Sequence, residues 1–137
     1  MTIALEIISP EKLLLTRDVD MVVIPGTEGD IGVLPGHSKL ITGLRGGLVD
    51  LYEKGKISSR YFVSGGFAEV TESRCAVLAD AIIPQEELDA ETARTAVTEA
   101  QAAYDAVDIH DPDAYRDVSD GLISAQAMLD SVTPHAG

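Results

Sequence analysis

The sequence has no tryptophan, a single cysteine and ten basic residues set against 23 acidic ones. Each shortage removes a class of function. One cysteine, Cys75, excludes an internal disulfide and any zinc site built on a Cys-x-x-Cys pair. It sits in the strand-like run RCAVLAD, where a buried, inert thiol is preferred over a reactive one. A net charge of −13 makes nucleic acid a poor partner, because phosphate binding needs clustered Lys and Arg. The same charge opposes adhesion to anionic lipid headgroups. No window approaches about 18 consecutive apolar residues, so no helical membrane span is expected. The start, MTIALEIISPEK, has neither a basic segment nor a long apolar stretch and does not read as a signal peptide. Aromatics make up 4% of the chain, so a core must rest on Val, Ile, Leu and Ala.

Signatures of nucleotide and nucleophile chemistry are equally scarce. No stretch matches the Walker A loop or the Rossmann glycine pattern, whose backbone N–H groups cradle phosphates. No Gly-x-Ser-x-Gly elbow occurs, and SPEK at 9–12 matches Ser-x-x-Lys without its companion motifs. The histidines, His37, His110 and His135, have no second His or Cys at ligand spacing. HDPD at 110–113 reads as helix capping rather than a metal site. His37 reads as a polar loop residue rather than a general base. No catalytic residue, metal or cofactor is expected.

What is present falls into two halves that differ in charge and period. Residues 1–84 hold 8 basic and 11 acidic side chains, which leaves 2 basic (Arg94, Arg116) and 12 acidic for 85–137. Before Pro84 the pattern is short strands between turns. IALEII places Ile3, Leu5 and Ile7 on one face, VDMVVI is nearly all apolar, and LVDLYE alternates. EKGK, SGG and TESR separate ISSRYFV, FAEV and CAVLAD. Strands of five or six residues at spacings of about 8 to 12 indicate an antiparallel sandwich or barrel, and the absence of helical periods argues against a βαβ fold. After Pro84 the period becomes helical. Ala93, Val97, Ala100, Tyr104 and Val107 form one heptad-like stripe, and Tyr115, Val118, Leu122, Ala125, Leu129 and Val132 form another. Asp111 suits an N-cap and Pro112 the first helical position, so an antiparallel two-helix hairpin is expected. Its alanine-rich seam buries little area, and Gly121 costs up to about 1 kcal/mol relative to alanine, so the hairpin is expected to be marginal when undocked.

TEGDIGVLPGHSKL at 27–40 has three glycines, a proline and His37. EGDIGVLPGHSKLITGLRGG, followed by VSGGFAEV and VLAD, resembles the epsilon subunit of F-type ATP synthases (the mitochondrial delta equivalent), closely through residues 26–80 and loosely from 85 onward. The resemblance implies an α+β fold, a ten-stranded N-terminal antiparallel β-sandwich over 1–84 and a C-terminal two-helix hairpin over 85–137. It implies a non-catalytic rotor subunit that couples rotation of the membrane c-ring to the gamma subunit, at the cytoplasmic face of a bacterial inner membrane. Glu28, Gly29, Asp30 and Ile31 match the family's ring-facing turn. Ser9, His37, Thr42, Ser64 and Glu69 match positions at or near the gamma contact. Contact of the hairpin with the catalytic alpha and beta subunits is left open.

The family's ATP-binding motif, close to Ile/Leu-Asp-x-x-Arg-Ala, is degenerate here. Leu88, Asp89 and Ala93 keep their places, but Thr92 stands where the Arg should be. Arg94 follows two residues later, about 200° further round a helix of 3.6 residues per turn. Weak or no ATP binding, and weak control of hydrolysis by so acidic a hairpin, are expected. Two other readings stand beside this one: a small-ligand-binding sandwich with a helical lid, and an esterase-like enzyme using His37.

Overall fold

In this computed structural model residues 1–132 are described; His135 lies outside them. Ten strands come first: β1 (Ile3–Ile8), β2 (Leu13–Val19), β3 (Met21–Gly26), β4 (Gly29–Val33), β5 (Leu40–Leu44), β6 (Gly47–Glu53), β7 (Lys56–Val63), β8 (Gly66–Val70), β9 (Arg74–Leu78) and β10 (Ile82–Pro84). A 3₁₀ turn, Gln85–Glu87, leads to α1 (Ala90–Ala106) and α2 (Pro112–Val132). The strands form one curled sheet in the order β10-β7-β6-β3-β5-β8-β9-β1-β2, with β4 paired to β3. β3 is where the sheet folds over: Met21–Val23 pair with β6, while Gly26 pairs with β5. The expected antiparallel sandwich is thus present with one refinement. β1 and β9 run parallel, Ala4 beside Arg74 through Ile8 beside Leu78, because the curl brings the first strand against the ninth.

Period-two patterning decides what the sheet buries. Ile3, Leu5 and Ile7 are fully buried, and Val22, Ile24, Val49, Leu51, Val63 and Val77 join them in one aliphatic core. Tyr61 packs against this core and Val63 belongs to it. Phe62, between them, must therefore point to the other face of β7. It is nevertheless completely buried, and is the largest residue to be so among those described.

The hairpin accounts for that burial. Leu48 is the register partner of Phe62, and α2 lies against this side of β6. A Cβ placed on Gly46 would stand 3.0 Å from the Cα of Ser124 in α2, so the close approach requires glycine. The Ser124 hydroxyl donates to the Ser64 carbonyl at 3.1 Å, and the Gln85 amide donates to the Ser131 carbonyl at 3.3 Å. The two helices meet along the expected alanine seam, whose buried members are Ala93 and Ala125. Asp111 caps α2 through the Ala114 N–H, as its sequence predicts. At the far end the Tyr104 and Tyr115 hydroxyls meet at 2.9 Å.

Every member of the aliphatic core lies before Pro84, so a chain ending there should keep a cooperative thermal transition. Its melting temperature should be lower than that of the full chain, because Phe62 loses its cover, and full burial of such a side chain contributes roughly 1.5–3 kcal/mol. Circular dichroism melts with a hydrophobic-dye assay check this. A broad, non-cooperative melt would show that the strands do not form a unit on their own.

Candidate interaction surface

The stretch 27–40 is not one loop. β4 occupies Gly29–Val33 and divides it into a two-residue turn at Thr27–Glu28 and a second loop at Leu34–Lys39. Five strand residues at about 3.3 Å each carry the two to opposite poles of the sandwich. The first turn is tight: a Cβ on Gly26 would lie 2.7 Å from the Gly29 carbonyl oxygen, and Gly29 has φ +140°. Glu28, Gly29 and Asp30 are exposed, whereas Ile31 is partly buried and packs on the core. Asp30 is engaged. The Arg45 guanidinium reaches it at 2.5 Å and donates to the Gly26 carbonyl at 2.6 Å.

The candidate gamma positions separate. Glu69 lies on β8 opposite Ile41 of β5, on the outer face of the sheet half that the hairpin does not cover. Ser9 lines a cleft of about 290 Å³ with Phe67, Leu78 and Ala79 on the same half. Thr42 alternates with Ile41, so it lies on the core side of β5 beside buried Ala68. Ser64 lies under α2: its carbonyl takes the Ser124 hydroxyl, and its own hydroxyl accepts from the Ala81 N–H at 3.1 Å. His37 is at the opposite pole, where the Gly36 N–H holds the Glu72 carbonyl and the ring Nδ1 stands 2.7 Å from the Ser38 carbonyl.

Two residues that the sequence reading did not single out dominate the uncovered half. Ile41 is 73% exposed and Phe67 48%. Each is an apolar residue at an outward position, Phe67 next to inward Ala68 on β8 and Ile41 between inward Leu40 and Thr42 on β5, and that parity was the available signal. Cys75 is fully buried, and burial pushes its thiol up to about 12, which makes it inert at neutral pH.

Beside the hairpin, Asp50 and Arg60 face each other across β6 and β7 at 3.1 Å, too skewed for a linear hydrogen bond. Burial raises the Asp50 carboxyl more than Arg60 lowers it, and the charge of Asp30 adds to the rise. The hairpin covers Phe62 on the outside of the sheet, whereas a ligand lid would close over an opening into its interior.

The degenerate motif has a local structural use. Asp89 is the N-cap of α1, accepting from the Glu91 and Thr92 N–H groups, and the Thr92 hydroxyl donates to it at 2.8 Å. Thr92 therefore completes the cap in the place of the missing Arg. Ala93 is buried against the seam while Arg94 is exposed.

The chain is thus a curled β-sandwich with exposed apolar side chains on its uncovered half, followed by a docked two-helix hairpin. Residues 2–85 match the family model described as "ATP synthase, Delta/Epsilon chain, beta-sandwich domain". The chain is 48% identical to the ATP synthase epsilon chain of Granulibacter bethesdensis, over 93% of this chain and 95% of that one. It is 50% identical to the epsilon chain of Paramagnetospirillum magneticum, over 75% and 77%. It superposes on a chain of the Euglena gracilis mitochondrial ATP synthase (OSCP/F1/c-ring) with a TM-score of 0.78 and 25% identity, covering 96% of this chain and 82% of that one. A central stalk/c-ring structure from Tetrahymena thermophila shares the fold, with a TM-score of 0.70 at 10% identity over 97% and 98%. The chain belongs to the ATP synthase delta/epsilon family, whose epsilon chains are non-catalytic subunits.

The cap makes a prediction about pH. The Thr92 hydroxyl, then the Thr92 and Glu91 N–H groups, hold the Asp89 carboxyl below the usual carboxylate range. An acid with a depressed folded pKa stabilises above its unfolded pKa, and that contribution is lost as pH falls through the folded value. The start of α1 should therefore fray only at pH below the ordinary aspartate range. Asp89→Ala should remove the dependence and fray the first turn at neutral pH. NMR titration of the Asp89 carboxyl, with exchange of the Glu91 and Thr92 amides, checks both.

Proposed function

We propose that this chain is a central-stalk subunit of a proton-translocating F-type ATP synthase, lying at the cytoplasmic face of a bacterial inner membrane and joining the c-ring to the gamma subunit. The observation that carries this reading is the pair Ile41 and Phe67, held exposed on a rigid sheet in a chain of this family. Ile41 and Phe67 are same-face neighbours on adjacent strands, and an apolar patch of this kind marks a contact surface where an isolated side chain would not. In this reading gamma covers the uncovered half of the sheet, with Glu69 and Ser9 at the patch and His37 near its edge at the far pole. Thr42 contributes from the core side, by shaping β5. Ser64 sits between the sandwich and the docked hairpin.

The c-ring loops meet the Thr27–Asp30 turn. Glu28 presents a free carboxylate there, complementary to Lys or Arg on the ring's polar loops. Placing Glu28 and His37 at opposite ends of the sandwich suits a body that touches two partners and carries torque between them, since close-packed interiors transmit strain. The inactive Cys75 and the aliphatic core supply rigidity only.

Two outcomes test the reading. Glu28→Cys, which leaves the Asp30–Arg45 pair intact, should crosslink to the c-subunit polar loop in isolated membranes. Crosslinks confined to catalytic-head subunits would contradict it. The acidic hairpin, with Thr92 committed to the cap, should neither bind ATP at millimolar concentration nor brake hydrolysis strongly. Calorimetry on the isolated chain should show no ATP binding heat, and removing residues 85–137 from the complex should change hydrolysis by less than about threefold, which corresponds to under 1 kcal/mol of activation free energy. Tight binding or a many-fold activation would contradict it.

A further inference from the structure

The β5–β6 connection touches both the exposed turn and the hairpin. On one side the Arg45 N–H donates to the Pro25 carbonyl at 2.9 Å, and its guanidinium straps Gly26 and Asp30. The Thr27 N–H donates to the Gly43 carbonyl at 3.0 Å, so four hydrogen bonds tie the turn to the end of β5 and Arg45. On the other side, Gly46, the next residue, lies against α2 with no room for a side chain. Arg45 also lines two clefts whose far walls are α2: one with Asp120 and Ser124, the other with Gln126 and Asp130. Arg45 therefore belongs both to the turn, through Gly26 and Asp30, and to the grooves that α2 walls.

We propose that Arg45 is a positioning residue that couples the Thr27–Asp30 turn to the docking of the helical hairpin. With α2 seated on Gly46, the 45–46 backbone is fixed, and the Arg45 side chain is confined to its two acceptors at the turn. When α2 leaves, that backbone gains freedom, and the guanidinium is no longer held against Gly26 and Asp30. The turn then loosens through Arg45. The consequence for ring binding rests on the reading of this turn as ring-facing. The coupling itself does not, and it is measurable without the ring.

The test is amide hydrogen exchange of residues 27–31 in the full chain, followed by NMR. Arg45→Met should speed exchange in the turn about two- to fivefold, the range open to an exposed ion pair. Arg45→Lys, which keeps one acceptor but not both, should give a smaller effect. Ser124→Trp, which unseats α2 from the helix side and leaves the sandwich sequence intact, should speed exchange in the same amides. Gly46→Val reaches the same undocking from the strand side if the first variant folds poorly. The decisive result is non-additivity: once Arg45 is Met, undocking the hairpin should change the turn no further. Turn exchange that stays at the wild-type rate when α2 is unseated, or effects of the two changes that simply multiply, would overturn the proposal.

Discussion

Where Leu48 meets Phe62, the β6–β7 pair is apolar on both faces, and much of the molecule follows from covering that end. Val49, Leu51 and Val63 face inward and Leu48 and Phe62 face outward. A strand pair of that kind is stable in water only if both sides are covered. The curl of the sheet covers the inner side. The hairpin, pinned at Gly46 and Ser64, covers the outer one. Helices whose buried seam residues are the small Ala93 and Ala125 have little to hold them as an isolated pair, so docking on the sheet supplies what the seam lacks.

The opposite half of the sheet has the same two-sided character and no cover of its own. Ile41 and Phe67 stand outward over buried Leu44, Ala68 and Val70. One half of the sandwich thus finds its cover within the chain, and the other is proposed to find it on a partner. The division also gives the charge a rationale. Acidic residues crowd the hairpin, whose solvent face needs only to stay wet, while Arg45, Arg60 and Arg74 pair locally with Asp30, Asp50 and Glu6 on the strands.

The strands legible in the sequence were those with strict alternation or a continuous apolar run, such as Ile3–Ile8 and Met21–Gly26. Gly29–Val33 and Leu40–Leu44 were hidden because their glycines, Gly29, Gly32 and Gly43, read as turn residues. The structure uses Gly43 where a Cβ would meet Thr27 at 3.1 Å, so it marks close packing rather than a loop. The helix caps were legible at Asp111 because the N-cap and the following proline form a local pattern. The role of Thr92 was not, since a missing Arg says nothing of what its replacement bonds. Phe62 illustrates the remaining limit: parity shows that it points outward, but only the tertiary position of α2 shows that it is covered. The opposite placement of Glu28 and His37 depended on recognising β4, and so followed only from the folded chain.

That the uncovered sheet face and the Thr27–Asp30 turn are the contact surfaces of a rotor subunit is tested most directly by cryo-electron microscopy of the complex purified from membranes through a tag on this chain. The expected map has the Ile41–Phe67 face against a coiled-coil stalk subunit and the Thr27–Asp30 turn against the polar loops of a membrane ring. A map in which that face remains in solvent, or in which the turn points away from the membrane, would contradict it.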